Sequence, residues 1–256
     1  MGQFISAWLR MITAIFRSLQ VAVRVLTLLP APPVTDFSAE EKGRGLIWFP
    51  VVGALMGGIL ALTAWKLESI EPMLASVILL TAWLFISELH HLDALARSIN
   101  VWLFGGCGAA EKNELGDKFL PAPHFGVMGV MALIMMVKFS ALSVLIEYKL
   151  WPYILLAPIA ARLLVAALIG FTPSAPGESL AHEFRVEFPY VALFLWLLLA
   201  LPVALVAGMP LLALFVLLLL IRLRMKQTCG GLTWESIGAS IVLLEAIGLF
   251  VAAVTA

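Results

Sequence analysis

The sequence predicts an all-α fold: a polytopic membrane helical bundle of about seven transmembrane helices, preceded by an N-terminal interfacial helix. Three observations carry that expectation. Of the 256 residues, 62% are hydrophobic and 12% are charged, and the mean hydropathy of +1.06 lies far from that of a soluble domain of this length. Several apolar runs reach the roughly 20 residues needed to cross about 30 Å of hydrocarbon. Isolated strands cannot satisfy their backbone polar groups in lipid, so these runs read as helices. No internal repeat and no separate soluble domain is visible, and residues 1–256 read as a single integral membrane domain.

The chain opens with MGQFISAWLRMITAIFRSLQVAVRVLTLLPAPP, in which Arg10, Arg17 and Arg24 recur every seven residues and share one helical face. Basic residues interrupt the apolar run and no convincing cleavage site follows. A helix lying in the membrane interface therefore fits better than a signal peptide; an eighth, poorly formed span is the alternative. Pro30, Pro32 and Pro33 end this helix.

Membrane spans are expected at about 46–65, 72–89, 126–146, 152–171, 189–207, 211–221 and 237–254. The sixth run is short. Either it starts nearer Gly208, or Ala207-Gly208-Met209-Pro210 is a bend within one long element, which leaves six spans. Polar segments 34–45, 105–125, 173–187 and 222–236 separate the runs.

Charge orients the bundle. With seven spans, twelve of the sixteen Lys and Arg fall in segments on the N-terminal side, and only Lys66 and Lys149 fall opposite. The positive-inside bias puts the N-terminus and every long loop in the cytoplasm, so the expected location is the cytoplasmic (inner) membrane. Cys107 and Cys229 are too few and too far apart in sequence to argue for a disulfide framework or a thiolate metal site. No nucleic-acid partner is expected; the oligomeric state is left open.

Lys138, Arg162 and Glu245 fall inside expected spans. Each would cost a few kcal/mol against lipid, so all three should face the bundle interior or a wet cavity. Two readings follow: Glu245 pairs with Lys138 or Arg162, or the cations hold a polar headgroup or phosphate.

Residues 89–100, LHHLDALARSIN, continue the second run. Helical spacing brings Glu88 to His91 and Asp93 to Arg97. Glu88, His91 and Asp93 do not share one face, which argues against a three-ligand metal site on this helix alone. His91 and Asp93 can still line a cavity whose opposite wall comes from other helices, and a local ion pair is the plain reading of Asp93 and Arg97. Gly105-Gly106-Cys107-Gly108 lacks the Lys-Ser/Thr ending of a P-loop and reads as a turn more readily than as a phosphate loop. Gly230-Gly231-Leu232-Thr233 permits a tight turn before the last span, with Thr233 a plausible N-cap. Arg222, Arg224 and Lys226 make that loop electropositive, as contact with anionic lipid would require.

Taken in order, LTLLPAPP, GRGLIWFPVVGALMGG (43–58), SELHHLDALARS with Gly105-Gly106, HFGVMG (124–129), GESLA (177–181) and GGLTWESIGASIVLLEA (230–246) resemble the cobalamin synthase (adenosylcobinamide-GDP ribazoletransferase) family over nearly the whole chain. The resemblance implies a multi-span enzyme at the cytoplasmic face. There the hydroxyl of α-ribazole or its 5′-phosphate attacks the corrin-bound phosphoryl group of adenosylcobinamide-GDP and releases GMP, with Mg²⁺ required. It also implies that cations neutralise phosphate oxygens while acids hold the metal or receive the hydroxyl proton.

Carried over residue by residue, the resemblance implies catalytic roles for Asp93, His91 and Glu235 and a metal role for Asp93 and Glu235. Substrate or cofactor contacts go to Lys138, Arg162, Glu178 and Glu245. The chain departs from the family pattern at several polar positions. Where the family has His-x-Asp-Gly-x-Ala-Asp-x-x-Asp-Gly, Arg97 and Asn100 hold the later acidic positions. Ala122 and His124 replace an aspartate and an arginine, Pro176 replaces an arginine, Trp234-Glu235 stands for Gly-Asp, and Val242 replaces a glutamate. An arginine four residues from Asp93 can occupy the place of a divalent cation between two carboxylates. Two alternatives to the transferase therefore stand: an inactive paralogue that binds a corrinoid, nucleotide or lipid, and a small-solute transporter, which internal charges and broken helices also suit.

Overall fold

The structure is a computed structural model that describes residues 2–105 and 124–255. The described residues form eleven α-helices: α1 Gly2–Leu26, α2 Ala39–Gly45, α3 Phe49–Lys66, α4 Pro72–Trp83, α5 Leu89–Phe104, α6 Phe125–Glu147, α7 Trp151–Phe171, α8 Leu180–Val186, α9 Tyr190–Ala207, α10 Met209–Cys229 and α11 Trp234–Thr255. No strand occurs among them; one parallel bridge joins Ser174 to Leu232.

Each expected apolar run falls on a helix, with two refinements. The second run does not continue straight into residues 89–100: a π-helical turn, Leu84–Glu88, intervenes, and the chain bends by 84° between Pro72–Ser87 and Leu89–Phe104. Such a widened turn is where a helix most readily changes direction. The sixth run is a helix of its own, because Gly208 at φ 54° breaks the chain between α9 and α10 in a conformation costly for any other residue.

The expected count of seven spans is not established. Four stretches are long and apolar enough to cross a membrane: Ala39–Lys66, α6, α7 and α11. Two bent pairs, α4 with α5 and α8 with α9, raise the number to six. Helix α10 has 21 residues but carries Arg222, Arg224 and Lys226 in its final turns, which shortens its apolar part. Helix α1 is not among the candidate spans. It leaves Trp8, Leu9, Ile12, Ile15 and Phe16 exposed while Val21, Ala22, Val25 and Leu26 pack into the core.

The central element is α11, which packs on α5, α6, α7 and α10. From Ser236 to Ala246 only Leu243 is not fully buried. Helices α3 and α7 approach closely because Gly53 and Gly57, four residues apart, present no side chain. A Cβ on Gly57 would lie 2.3 Å from the Leu155 carbonyl oxygen, and one on Gly53 would lie 2.7 Å from that of Pro158. In lipid there is little hydrophobic gain from bringing helices together, so close packing of small residues does that work.

At the polar end, α2 is held by a capping box: the Ser38 hydroxyl accepts from the Glu41 amide at 3.2 Å, and the Glu41 carboxylate accepts from the Ser38 amide at 2.9 Å. Glu41 also pairs with Arg17 of α1, and Lys42 pairs with Glu183 of α8. These pairs fasten the N-terminal helix and α8 to the start of the first span. Cys229, which ends α10, is disulfide-bonded; Cys107 lies outside the described residues.

Candidate functional site

Three polar positions inside the bundle meet on one carboxylate. Glu245 of α11, Lys138 of α6 and Arg162 of α7 have no exposed surface. Lys138 Nζ donates to Glu245 Oε2 at 3.0 Å, and Arg162 Nη1 donates to Oε1. Trp83, the last residue of α4, donates its indole N–H to Oε2 at 2.9 Å, and the Lys138 ammonium sits 3.8 Å from the centre of the Trp83 ring. Arg162 Nη2 donates to Ser87 Oγ at 2.9 Å, and that hydroxyl in turn donates to the Leu26 carbonyl at 2.9 Å.

Helices α4, α6, α7 and α11, the π turn and the end of α1 are thus joined through one carboxylate. Lys138 and Arg162, each expected as the partner of Glu245, both pair with it. Full burial closes the cluster to aqueous solutes in this conformation. Breaking such a pair typically costs about 3–5 kcal/mol, because it strands a charge in a low-dielectric interior. Trp83 and Ser87 escape the sequence reading. Their one signal is a spacing of four residues on one face of the helix that leads into the polar stretch.

A second group of polar residues gathers where the loops meet. The Ala175 amide donates to the Leu232 carbonyl at 2.9 Å, and the Leu232 amide donates to the Pro173 carbonyl at 2.8 Å. This bridge straps the loop that carries Glu178 to the loop that precedes Glu235. Trp234 stacks on Phe184 of α8, with ring centroids 5.4 Å apart. Gly238 packs directly on α5: a Cβ there would lie 2.8 Å from that of Ala94 and 3.2 Å from His91 Cδ2. Glu235 stands about one helical turn before Gly238 on α11.

Individual residues differ in environment. His91 is buried with Nε2 3.2 Å from the Val25 carbonyl, and the neighbouring His90 is 3.0 Å from the same oxygen. Asp93 is exposed and accepts from Arg97 Nε at 2.9 Å. Asn100 accepts from the His124 amide at 3.3 Å. Glu235 is half-buried at the start of α11. Glu178 is half-buried and lines a groove of about 440 Å³ with Ser174, Ser179, His182 and Arg185; the last four are functional candidates that the sequence reading does not single out.

No group of three or more His, Cys, Asp or Glu that could hold a metal ion exists among the described residues. Asp93 instead has Arg97 as its charged neighbour. Glu111, Glu114, Asp117 and Ala122 lie outside the described residues, as do residues 106–108 of the glycine turn.

Fold and site together define a polytopic helical membrane protein with a locked, charged interior and a set of polar loops gathered beside one end of α11. The chain belongs to the cobalamin-5-phosphate synthase family, whose sequence profile matches residues 18–253. It is 33% identical over 229 residues to the adenosylcobinamide-GDP ribazoletransferase of Pseudomonas putida strain GB-1, an alignment covering 88% of this chain and 93% of the relative. It is 36% identical over 236 residues to the enzyme of that name from P. putida strain W619, covering 88% and 93%. The Pseudomonas aeruginosa PAO1 enzyme is 33% identical over 235 residues, covering 90% and 94%. No solved structure matches the chain. Membership places it among the transferases of cobalamin biosynthesis.

Proposed function

We propose that the protein joins α-ribazole or its 5′-phosphate to adenosylcobinamide-GDP and releases GMP, at the end of the bundle where the loop of Glu178, the loop before Glu235 and the start of α5 converge. The observation that carries this reading is the Ser174–Leu232 bridge, which gathers two segments of family resemblance that are far apart in sequence. In the reaction, the ribazole hydroxyl oxygen forms a bond to the corrin-side phosphorus while the bond from that phosphorus to the GMP oxygen breaks. The hydroxyl proton passes to a carboxylate, for which Asp93 and Glu235 are the candidates, and GMP leaves with the bonding pair. His91 orients α5 from its buried position beside the Val25 carbonyl.

Mg²⁺ belongs to this proposal as the counter-ion of the substrate's phosphates, with Asp93 or Glu235 supplying a single carboxylate to it, since that ion commonly binds through one or two carboxylates plus phosphate oxygens. Lys138, Arg162 and Glu245 serve the site by holding α6, α7 and α11 in register. The twelve-to-two charge bias supports an inner-membrane location with these loops in the cytoplasm, where the corrinoid and nucleotide substrates would meet the lipid surface.

The Asp93–Arg97 ion pair favours one second reading, a family member that binds these ligands without turnover. Purified protein, adenosylcobinamide-GDP, α-ribazole and Mg²⁺ distinguish the two, with an active relative as positive control. GMP and coupled corrinoid appearing together, and lost in Asp93→Asn and Glu235→Gln, supports the transferase. Tight binding of either substrate with no turnover across pH and metal conditions supports the second reading, and neither binding nor turnover refutes both.

A further inference from the structure

The groove beside α8 holds side chains to which the reaction outlined above gives no individual role. Its ≈ 440 Å³ is lined by Ser174, Ser179, His182 and Arg185 on the donor side and by Glu178 as the single carboxylate. Such a volume is several times what one phosphate needs and lies in the range of small-molecule sites, roughly 300–1,000 Å³. Two of its lining residues, Arg185 and Ser174, have a buried polar atom, Nε and Oγ respectively, that makes no hydrogen bond within the protein. Buried donors left unsatisfied are uncommon, so neither of these atoms is committed to holding the fold together.

The surrounding charges explain why Arg185 is uncommitted. Glu183, two residues earlier on α8, is taken by Lys42 of α2. Arg185 has no ion pair among the described residues, and neither has Glu178. An arginine and a carboxylate therefore share one groove without neutralising each other. The groove is also braced, because the Ala175–Leu232 and Leu232–Pro173 hydrogen bonds fix its floor, and Phe184 anchors α8 under Trp234.

We propose that this groove is a sugar-phosphate site, in which Arg185, Ser174 and His182 take the phosphate oxygens and Glu178 takes the sugar hydroxyls. Guanidinium and hydroxyl donors suit phosphate oxygens, and a planar guanidinium can hold two of them at once. The carboxylate decides the remainder of the ligand. It repels a bare polyanion but accepts hydrogen bonds from vicinal hydroxyls, which a ribose presents a few bonds from its 5′-phosphate. The inference rests on the transferase reading only for which sugar phosphate arrives, α-ribazole 5′-phosphate or the GMP portion of the activated corrinoid.

Binding to the full-length protein in nanodiscs tests it, with ribose 5-phosphate, inorganic phosphate and phosphoethanolamine as probes. Ribose 5-phosphate should bind at least about tenfold more tightly than inorganic phosphate. Arg185→Gln should weaken both by about tenfold or more, with Arg185→Lys between. Glu178→Gln should erase the preference for the sugar while leaving inorganic phosphate bound as well or better. The source is read by competition: α-ribazole 5′-phosphate or GMP should displace bound ribose 5-phosphate.

Unchanged affinities in folded Arg185→Gln and Ser174→Ala proteins overturn the site. Stronger binding of phosphoethanolamine than of ribose 5-phosphate overturns the sugar assignment, and displacement by neither nucleotide overturns its link to the reaction. Failure here is separable from failure of the transferase reading. Turnover with unaltered KM in Arg185→Gln sinks the groove alone, whereas ribose 5-phosphate binding without turnover sinks only the reaction.

Discussion

Lys138 donates to Glu245 across 3.0 Å with both side chains fully buried, and Arg162 approaches the other oxygen of the same carboxylate. One acid thus serves two cations from two other helices, with a tryptophan N–H as a further donor. Removing the acid leaves both cations in the bundle interior. Glu245→Ala should therefore destabilise the folded protein by about 3–5 kcal/mol, whereas Lys66→Ala, on the exposed end of α3, should change stability by no more than about 0.5 kcal/mol. Unfolding in nanodiscs, followed by heat or denaturant, checks both; equal stability of the two variants would remove the cluster from the account of the fold.

Arg97 is the charged neighbour of Asp93 on an exposed helix surface. An exposed pair of this kind contributes about 0–1 kcal/mol, so Arg97→Asp should leave stability nearly unchanged while placing a second carboxylate one turn from Asp93. Mg²⁺ affinity, measured by titration calorimetry, should rise by about tenfold or more, since two nearby carboxylates favour a bound cation. The same affinity in wild type and variant would show that Arg97 does not stand in for a metal.

Gly57 and Gly58 are adjacent on α3 but face different surroundings. A Cβ at Gly57 would strike the Leu155 carbonyl, whereas one at Gly58 would meet nothing within 4 Å. Gly57→Ala should cost about 1–3 kcal/mol by forcing α3 and α7 apart. Gly58→Ala should be neutral, or stabilising by up to about 1 kcal/mol through helix propensity. A pair of melting curves decides, and equal effects would mean that the helices do not pack through Gly57.

Single cysteines test the orientation. In a chain otherwise free of cysteine, one placed at Arg224 should be labelled by an impermeant maleimide only in inverted vesicles, and one at Lys66 only in intact cells. Labelling at position 224 from outside would reverse the topology, and with it the access of cytoplasmic nucleotides to the loops.

Most of the fold is legible in the sequence because lipid imposes a single requirement, an apolar helix with satisfied backbone, and composition records it directly. The internal charges are equally legible: Lys138, Arg162 and Glu245 stand out against oil, and their mutual pairing follows from the cost of leaving any of them alone. The 84° turn between α4 and α5 is not legible. Its residues, LFISE, include no Gly or Pro to mark a bend, and a π turn depends on what Ser87 finds on α1 and α7. The groove escapes for a related reason. Arg185 and His182 look like ordinary polar loop residues until the Ser174–Leu232 bridge and the Lys42–Glu183 pair show which of them are left without partners. The span count suffers from the opposite problem, since α10 is long enough but ends in three basic residues.

The position of Glu245 in the chain also constrains how the protein is made. Lys138 and Arg162 emerge from the ribosome 107 and 83 residues, respectively, before the acid that neutralises them. Until α11 is synthesised, α6 and α7 present two cations whose carboxylate does not yet exist, and a lipid interior is costly for them. The early helices must wait in a watery or proteinaceous insertion site, and the last helix then closes the bundle by supplying its missing charge. Arrest of synthesis before residue 245 should leave α6 and α7 associated with the insertion machinery, and release should follow once Glu245, rather than glutamine at that position, has entered.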